Sequence, residues 1–451
     1  MEIEQSSLYP EILAVFNAGA NPVHFSWSAT IHVNQTGADI SAMQVLSVDK
    51  RSDYEVGFTD YLIVTLGLLG GVYANQIYPF HDDLDITLTQ YPLAEQGGAA
   101  DSTGTVNARR MQATLRDTGD PQLLGQSVNA AHQDALDLNN FLEVQFQLLD
   151  KSLEQLRMLS IGGIWRGCTV GDFLRTTLTR YARAAVVDET LKVIGVDMVP
   201  PSNQDVRDHV VIPHGTKLMD VPDYVQQQCG GIYSTGLGSY LRDRYWYLYP
   251  ALDVARIDQA EDIATIIVVP PKRFAGIERT YRQDPGNLVI IASGDVKFQT
   301  DATARQLNQG NGVRYADASR IMDGFVTPLN GRAIASRGNL NSEYITVQRP
   351  NGLNNVQMSP TRVTANPYVQ ASALARRNGS VISVLWENSN DELLKPSMML
   401  NILYLLNDQV QVLRGVLLKT QTSVAMAGTG LVGGRHISST GLSCFVANPV
   451  S

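Results

Sequence analysis

In PVHFSWSATIHV, residues 22–33, apolar side chains recur at every second position through Val23, Phe25, Trp27, Ala29, Ile31 and Val33. A period of two places them all on one side of an extended chain, which is the pattern of a half-buried strand and not of a helix. Gly37 and Asp39 then mark a turn. MQVLSVDKRSDYEVG and TDYLIVTLGL follow, then a turn at Gly70-Gly71, then VYANQIYPF read as a further strand. HDDL interrupts the run, and DITLTQYPL resumes it with Ile86 and Leu88 on one side. Five or six short strands at this spacing suit a small barrel.

The remainder alternates between mixed and β-rich stretches. Gln96–Gly104 is a Gly/Ser-rich loop, and the turn-rich stretch 118–140 carries no clear period. FLEVQFQLLDKSLEQLRML starts as strand and turns helical. CTVGDFLRTTLTRYARAA reads as a helix capped by Thr169 or Asp172, with Val170, Phe173, Leu174 and Leu178 on its apolar face. HVVIPHGTKL is strand and turn, and MDVPDYVQQQCG is a short helix ended by Gly230-Gly231. YSTGLGSYLRDRYWYLYP reads as a hairpin with Gly236 and Gly238 in the bend. DIATIIVVPP and NLVIIASGDVKFQ are β-branched strands with an Asp284-Pro285-Gly286 turn between them.

The expected fold class is therefore mainly β with α+β portions: two small antiparallel β-barrels, a mixed α/β domain and a long loop-rich insertion. The expected parts are a first barrel over 1–104, a mixed α/β domain over 105–205, and a β-rich region over 206–300 that opens the second barrel. A loop-rich insertion over 301–365 and a C-terminal meander over 366–451, completing the second barrel, close the chain. The insertion is polar and unpatterned, which points to a function or to ordering on assembly.

Charged residues make up 18% of the 451, against about 25% in ordinary soluble domains. A surface of neutral polar groups is buried against neighbours at lower desolvation cost than a charged one, which favours assembly. The net charge of −9 argues against a general nucleic-acid binder, which needs a basic footprint on phosphates. Cys168, Cys229 and Cys444 are odd in number and far apart, so they are expected to be reduced core thiols. The start MEIEQSSLYP has no basic or apolar leader pattern, and Tyr61–Phe80 is too interrupted to span a bilayer as a helix.

No residue is singled out as catalytic, metal-binding or cofactor-binding. His81, Asp83 and Asp85 of HDDLD are the best metal or acid–base candidates by composition, yet the chain offers no obvious His or Cys to join them. Gly236 and Gly238 lie in no phosphate-loop motif, and Gly-x-Ser-x-Gly is absent. Tyr245, Trp246, Tyr247 and Tyr249 are the candidate interface residues. On a strand the three tyrosines share one face against Trp246, suiting a core or a subunit interface better than a sugar platform.

Three segments carry a resemblance. Residues 47–93 are similar to the first barrel of the hub proteins of contractile phage tail baseplates, through Tyr78-Pro79, then Asp82, Asp83 and Leu84, then Ile86, Thr87 and Leu88. Residues 212–253 resemble that family's later segment, with an I-P-x-G-T turn, a short helix and the hairpin sequence GIYSTGLG. GSVISVLWENSNDELLKPSMMLNILYLL also fits, including Pro396 and Met398; residues 301–365 lie outside the resemblance. It implies a homotrimeric ring of six barrels around a channel, joining a six-fold tail tube to a three-fold spike. The implied partners are a central spike protein, tail tube or tube-initiator proteins and baseplate wedge proteins, with DNA only in transit; the net charge of −9 predicts a channel wall without a net basic lining. The implied place is the virion, after assembly in the host cytoplasm. The family brings no catalytic residue. Two other readings remain: a tail-associated cell-wall hydrolase, which needs carboxylates opposed across a cleft where Asp82 and Asp83 are adjacent, and a carbohydrate-binding receptor module using the 245–249 strand.

Overall fold

The computed structural model describes residues 7–18, 24–93, 106–116, 141–185, 192–270, 279–299, 314–317, 345–348, 356–358, 368, 372, 375–376, 379–406, 409–427 and 435–447. The chain is mainly β. A short helix, α1 (Tyr9–Phe16), leads into β1 (His24–Val33), β2 (Ala38–Ser41), β3 (Gln44–Asp53), β4 (Tyr61–Leu69), β5 (Leu84–Leu93), β6 (Asn107–Leu115) and β7 (Phe141–Asp150). After α2 (Lys151–Leu156) come β8 (Ser160–Thr169), α3 (Val170–Ala185), β9 (Gly195–Met198), β10 (Val206–Lys217), α4 (Val221–Gln228), β11 (Leu237–Arg242) and β12 (Tyr245–Pro250). The last part holds β13 (Ile263–Val269), β14 (Tyr281–Asp284), β15 (Asn287–Gln299), the short strands β16 (Arg314–Asp317), β17 (Ile345–Gln348) and β18 (Val356–Met358), then β19 (Gly379–Glu387), β20 (Met399–Leu406), β21 (Gln409–Met426) and β22 (His436–Ala447).

Fourteen of these strands form one sheet whose pairings close twice. The first ring runs β3-β4-β7-β6-β5-β1-β22-β21 and back to β3, with β1 meeting β22 at Phe25 and His436. The second runs β13-β20-β21-β22-β19-β15 and back to β13. Both rings use the β21–β22 hairpin. The first half of β21 pairs with β20 and the second half with β3, and the register shifts between Leu417 and Lys419, where the strand passes from one ring to the other. A bulge there bends and twists the strand enough to serve two curvatures.

Each ring is filled by its inward-facing alternate residues. Ile31, Val64, Leu66, Ile86 and Phe146 are fully buried in the first, and Ile266, Ile290, Trp386, Ile402 and Cys444 in the second. At about 1.5–3 kcal/mol per large apolar side chain, this burial dominates the favourable side of the fold's energetics. Outside the second ring, Ile12 and Val15 of α1 cover Ile267, Val269, Val289 and Ile291. A third core belongs to the α/β portion, where Phe173, Leu174 and Leu178 of α3 pack with Trp246 and Leu248 of β12.

Several sequence expectations are corrected. Strands β6 and β7 complete the first ring, which therefore extends past residue 104. The second ring is not wholly antiparallel, because β13 runs parallel to both β15 and β20. Gly70–Phe80 is an irregular helical run and not a turn and strand; Asn75 Nδ2 bonds Gly71 O at 3.0 Å, and Ile77 alone of 72–80 is buried. The bend of the β11–β12 hairpin is Asp243-Arg244, both with positive φ (51° and 67°), while Gly238 lies within β11. Gly238 is there for close packing, since a Cβ would sit 2.0 Å from the Tyr249 ring. The Gly/Ser-rich 96–104 and the ambiguous 118–140 lie outside the described residues, as does most of 301–365, where β16, β17 and β18 pair with one another.

Candidate functional site

Along β3 the inward face reads Val48, Lys50, Ser52. Alternation thus places a lysine in a row otherwise apolar or small, and Lys50 is 5% exposed. Its Nζ lies 2.8 Å from Glu392 Oε1, 3.0 Å from Asp391 Oδ2 and 3.5 Å from Asp60 Oδ2. Asp60 in turn accepts from Ser52 Oγ at 2.6 Å and Tyr240 OH at 2.7 Å. The buried Arg242, last residue of β11, donates to Glu392 Oε2 at 3.0 Å, Leu394 O at 2.8 Å and Tyr54 OH at 3.3 Å. Arg109 of β6 reaches Glu392 Oε2 at 2.5 Å and Asp243 Oδ1 at 2.7 Å.

Three cations and four carboxylates therefore meet where the first ring, the hairpin bend and the 391–394 segment before β20 converge. Burial works against charge on Lys50, Asp60, Arg109, Arg242 and Glu392. Burial by itself would lower the Lys50 pKa, but Asp391, Asp60 and Glu392 outweigh it and hold the ammonium above its usual value. Burial would raise the Asp60 carboxyl, yet Lys50, Arg242 and the Ser52 hydroxyl push it down to about 2. Glu392 is held well below the usual carboxylate range against its own burial, by Lys50, Arg109 and Arg242. Charges desolvated this far persist only when paired, and removing one partner leaves its opposite stranded.

A second, smaller group lies beside it. Asp85 of β5, 1% exposed, takes both Arg110 Nε at 2.9 Å and Lys151 Nζ on the same oxygen, Oδ2. Between the groups the mouth of the first ring holds a cleft of about 480 Å³. Its lining is apolar at Trp27, Val48, Leu62, Leu88, Met111 and Val424 and charged at Arg109, Arg110, Lys151 and Arg244, with the carboxylates of Asp150 and Asp243 among them.

The HDDLD candidates do not converge. Asp82 is exposed and faces His81 at 3.4 Å, Asp83 accepts from Asn34 Nδ2 at 3.0 Å, and Asp85 is spent on its two cations. Among the described residues no group of three or more His, Cys, Asp or Glu has metal-binding geometry. The three cysteines are unbridged, and burial pushes the Cys444 thiol up to about 12.

The four aromatic candidates split between two cores of this same chain. Trp246 is fully buried in the α/β core and bonds Ser239 Oγ at 2.9 Å. Tyr249 is buried against the second ring, its hydroxyl 2.6 Å from Tyr54 O. Tyr247 is half-buried and only Tyr245 is exposed, so the four form no single outward face. Lys50, Asp60, Arg109, Arg242 and Glu392 escaped sequence analysis because Lys50 and Glu392 lie 342 positions apart. One signal was present: Lys50 falls on the apolar phase of an alternating strand.

No family model and no curated protein matches the chain. Among solved structures it is similar to a tail protein from Neisseria meningitidis MC58, at 12% identity over 93% of this chain and 96% of that one, with a TM-score of 0.45. It is similar at 8% identity, with the same two coverages and a TM-score of 0.44, to a 43 kDa tail protein of prophage MuSo2 from Shewanella oneidensis. A third likeness, at 10% identity over 90% of this chain and 74% of that one with a TM-score of 0.42, is to an E. coli component of the type VI secretion system. That protein is described as structurally similar to two T4 bacteriophage tail proteins.

Proposed function

We propose that the chain is a non-catalytic structural hub of a phage tail baseplate, acting as a homotrimer that joins a six-fold tube to a three-fold spike. The observation that carries this reading is the double closure of one sheet: each chain presents two strand rings locked together by a shared hairpin. A trimer meets a six-fold neighbour only if every chain offers two comparable surfaces, because the contacts must satisfy both symmetries. Two rings per chain supply six units from three chains. The sequence resemblance of residues 47–93, 212–253 and 379–406 to the hub family, which includes strands of both rings, supports the same reading. Tube or tube-initiator proteins, the spike and wedge proteins are its partners in this proposal, and DNA passes through without being held.

Light scattering on purified protein tests the stoichiometry. A mass three times the 49.3 kDa of one chain, or that mass plus the spike's when the spike protein is added, is the expected result. A monomer under both conditions overturns it.

A further inference from the structure

A closed ring of about eight strands has an interior just wide enough for its own side chains or for one small ligand. In the first ring the far part of the interior is filled by Ile31, Val64, Leu66, Ile86 and Phe146. The end facing the charge cluster is not, and its roughly 480 Å³ falls in the size range of small-molecule sites, about 300–1,000 Å³. The wall there is apolar, with Trp27 and Met111 half-exposed and Leu62 and Leu88 behind them.

The charge on the rim is unevenly balanced. On one side Lys50, Arg109 and Arg242 face four carboxylates, Asp60, Asp243, Asp391 and Glu392. On the other, Arg110 and Lys151 share the one carboxylate of Asp85, a local excess of one positive charge across the cleft from the carboxylate-rich side. The Asp150 carboxylate next to them is engaged as the cap of α2, accepting from the Ser152 and Leu153 amides at 2.8 and 3.3 Å.

We propose that the mouth of the first ring binds a small amphipathic anion, its apolar part against Trp27, Leu62, Leu88 and Met111 and its anionic group at Arg110 and Lys151. A medium-chain carboxylate or alkyl sulfate has this chemistry, whether free or presented by an anionic lipid. The site does not depend on the hub reading, and either can fail without the other.

Calorimetric titration of the full chain with decanoate, decyl sulfate, acetate and decyltrimethylammonium, all below micelle formation, tests it. Saturable one-to-one binding of the two long-chain anions is expected, with acetate and the cation weaker by about tenfold or more. Arg110→Gln should weaken decanoate by about tenfold, and Leu88→Trp, which fills the cleft, should abolish binding. Should Leu88→Trp fail to fold, Met111→Trp at the half-exposed wall does the same job, with near-ultraviolet circular dichroism as the folding check. Co-sedimentation with phosphatidylglycerol vesicles, present or absent, separates a lipid surface from a free anion. Absence of saturable binding, equal affinity for the cation, or unchanged binding in a folded cleft-filling variant overturns the proposal.

Discussion

Lys50 shows how one side chain can tie distant segments together. It is buried among three carboxylates, Asp60, Asp391 and Glu392, two of them more than 300 positions away in sequence. Replacing it by Met strands those carboxylates, and the expected loss is about 3–5 kcal/mol in denaturant unfolding. Adding Glu392→Gln should recover part of that loss, since it removes one stranded charge; strict additivity of the two losses would contradict the coupling. The pH dependence follows from the same geometry. Asp60 has a folded pKa of about 2, below its value in the unfolded chain, and Glu392 is also held below its usual range. A depressed carboxylate contributes stability that is full above the unfolded pKa and is lost as pH falls through the folded one. For Asp60 that contribution is on the order of 2 kcal/mol. The cluster's share should therefore stay flat above about pH 5 and decline from about pH 4 towards pH 2, and Asp60→Asn should flatten the acid limb of a stability–pH curve.

At the scale of elements, the strands were legible wherever one face is wet. The alternation in 22–33 gives β1 with Ala29, Ile31 and Val33 buried, and the same logic gives β5. Helix α3 was legible too, because Thr169 signals its start: its hydroxyl accepts from the Asp172 amide at 3.0 Å and donates to the Asp172 carboxylate at 2.8 Å. Thr169→Ala should cost about 1 kcal/mol, measured by chemical denaturation. Two elements were not legible for physical reasons. Residues 70–80 contain aromatic and β-branched residues that suggest a strand, but they form helical turns that bury Ile77 and lay Val72, Tyr73 and Phe80 against the first-ring core. In the β11–β12 hairpin the glycines drew the bend to themselves, whereas Gly238 makes room for the Tyr249 ring. Gly238→Ala should therefore destabilise by about 1–3 kcal/mol through overpacking, read as a drop in melting temperature. The charge cluster was the least legible part, since its members come from five separate segments and share no motif.

For the whole molecule, the two rings and the hairpin they share matter most. Because β21 serves both, the rings cannot rotate freely against one another without breaking ladders to β3, β20 and β22. The chain therefore holds its two rings at a fixed angle, as the proposed symmetry-reconciling role requires. The account also expects no hydrolysis of peptidoglycan or nucleic acid by the purified chain; activity that vanishes in Asp83→Ala would contradict it. The central claim is tested most directly by electron-microscopy averages of the purified particle viewed down its axis. The account predicts a closed ring of three chains showing six similar densities around an open channel. A ring with three densities, or particles of any symmetry other than three-fold, would contradict it.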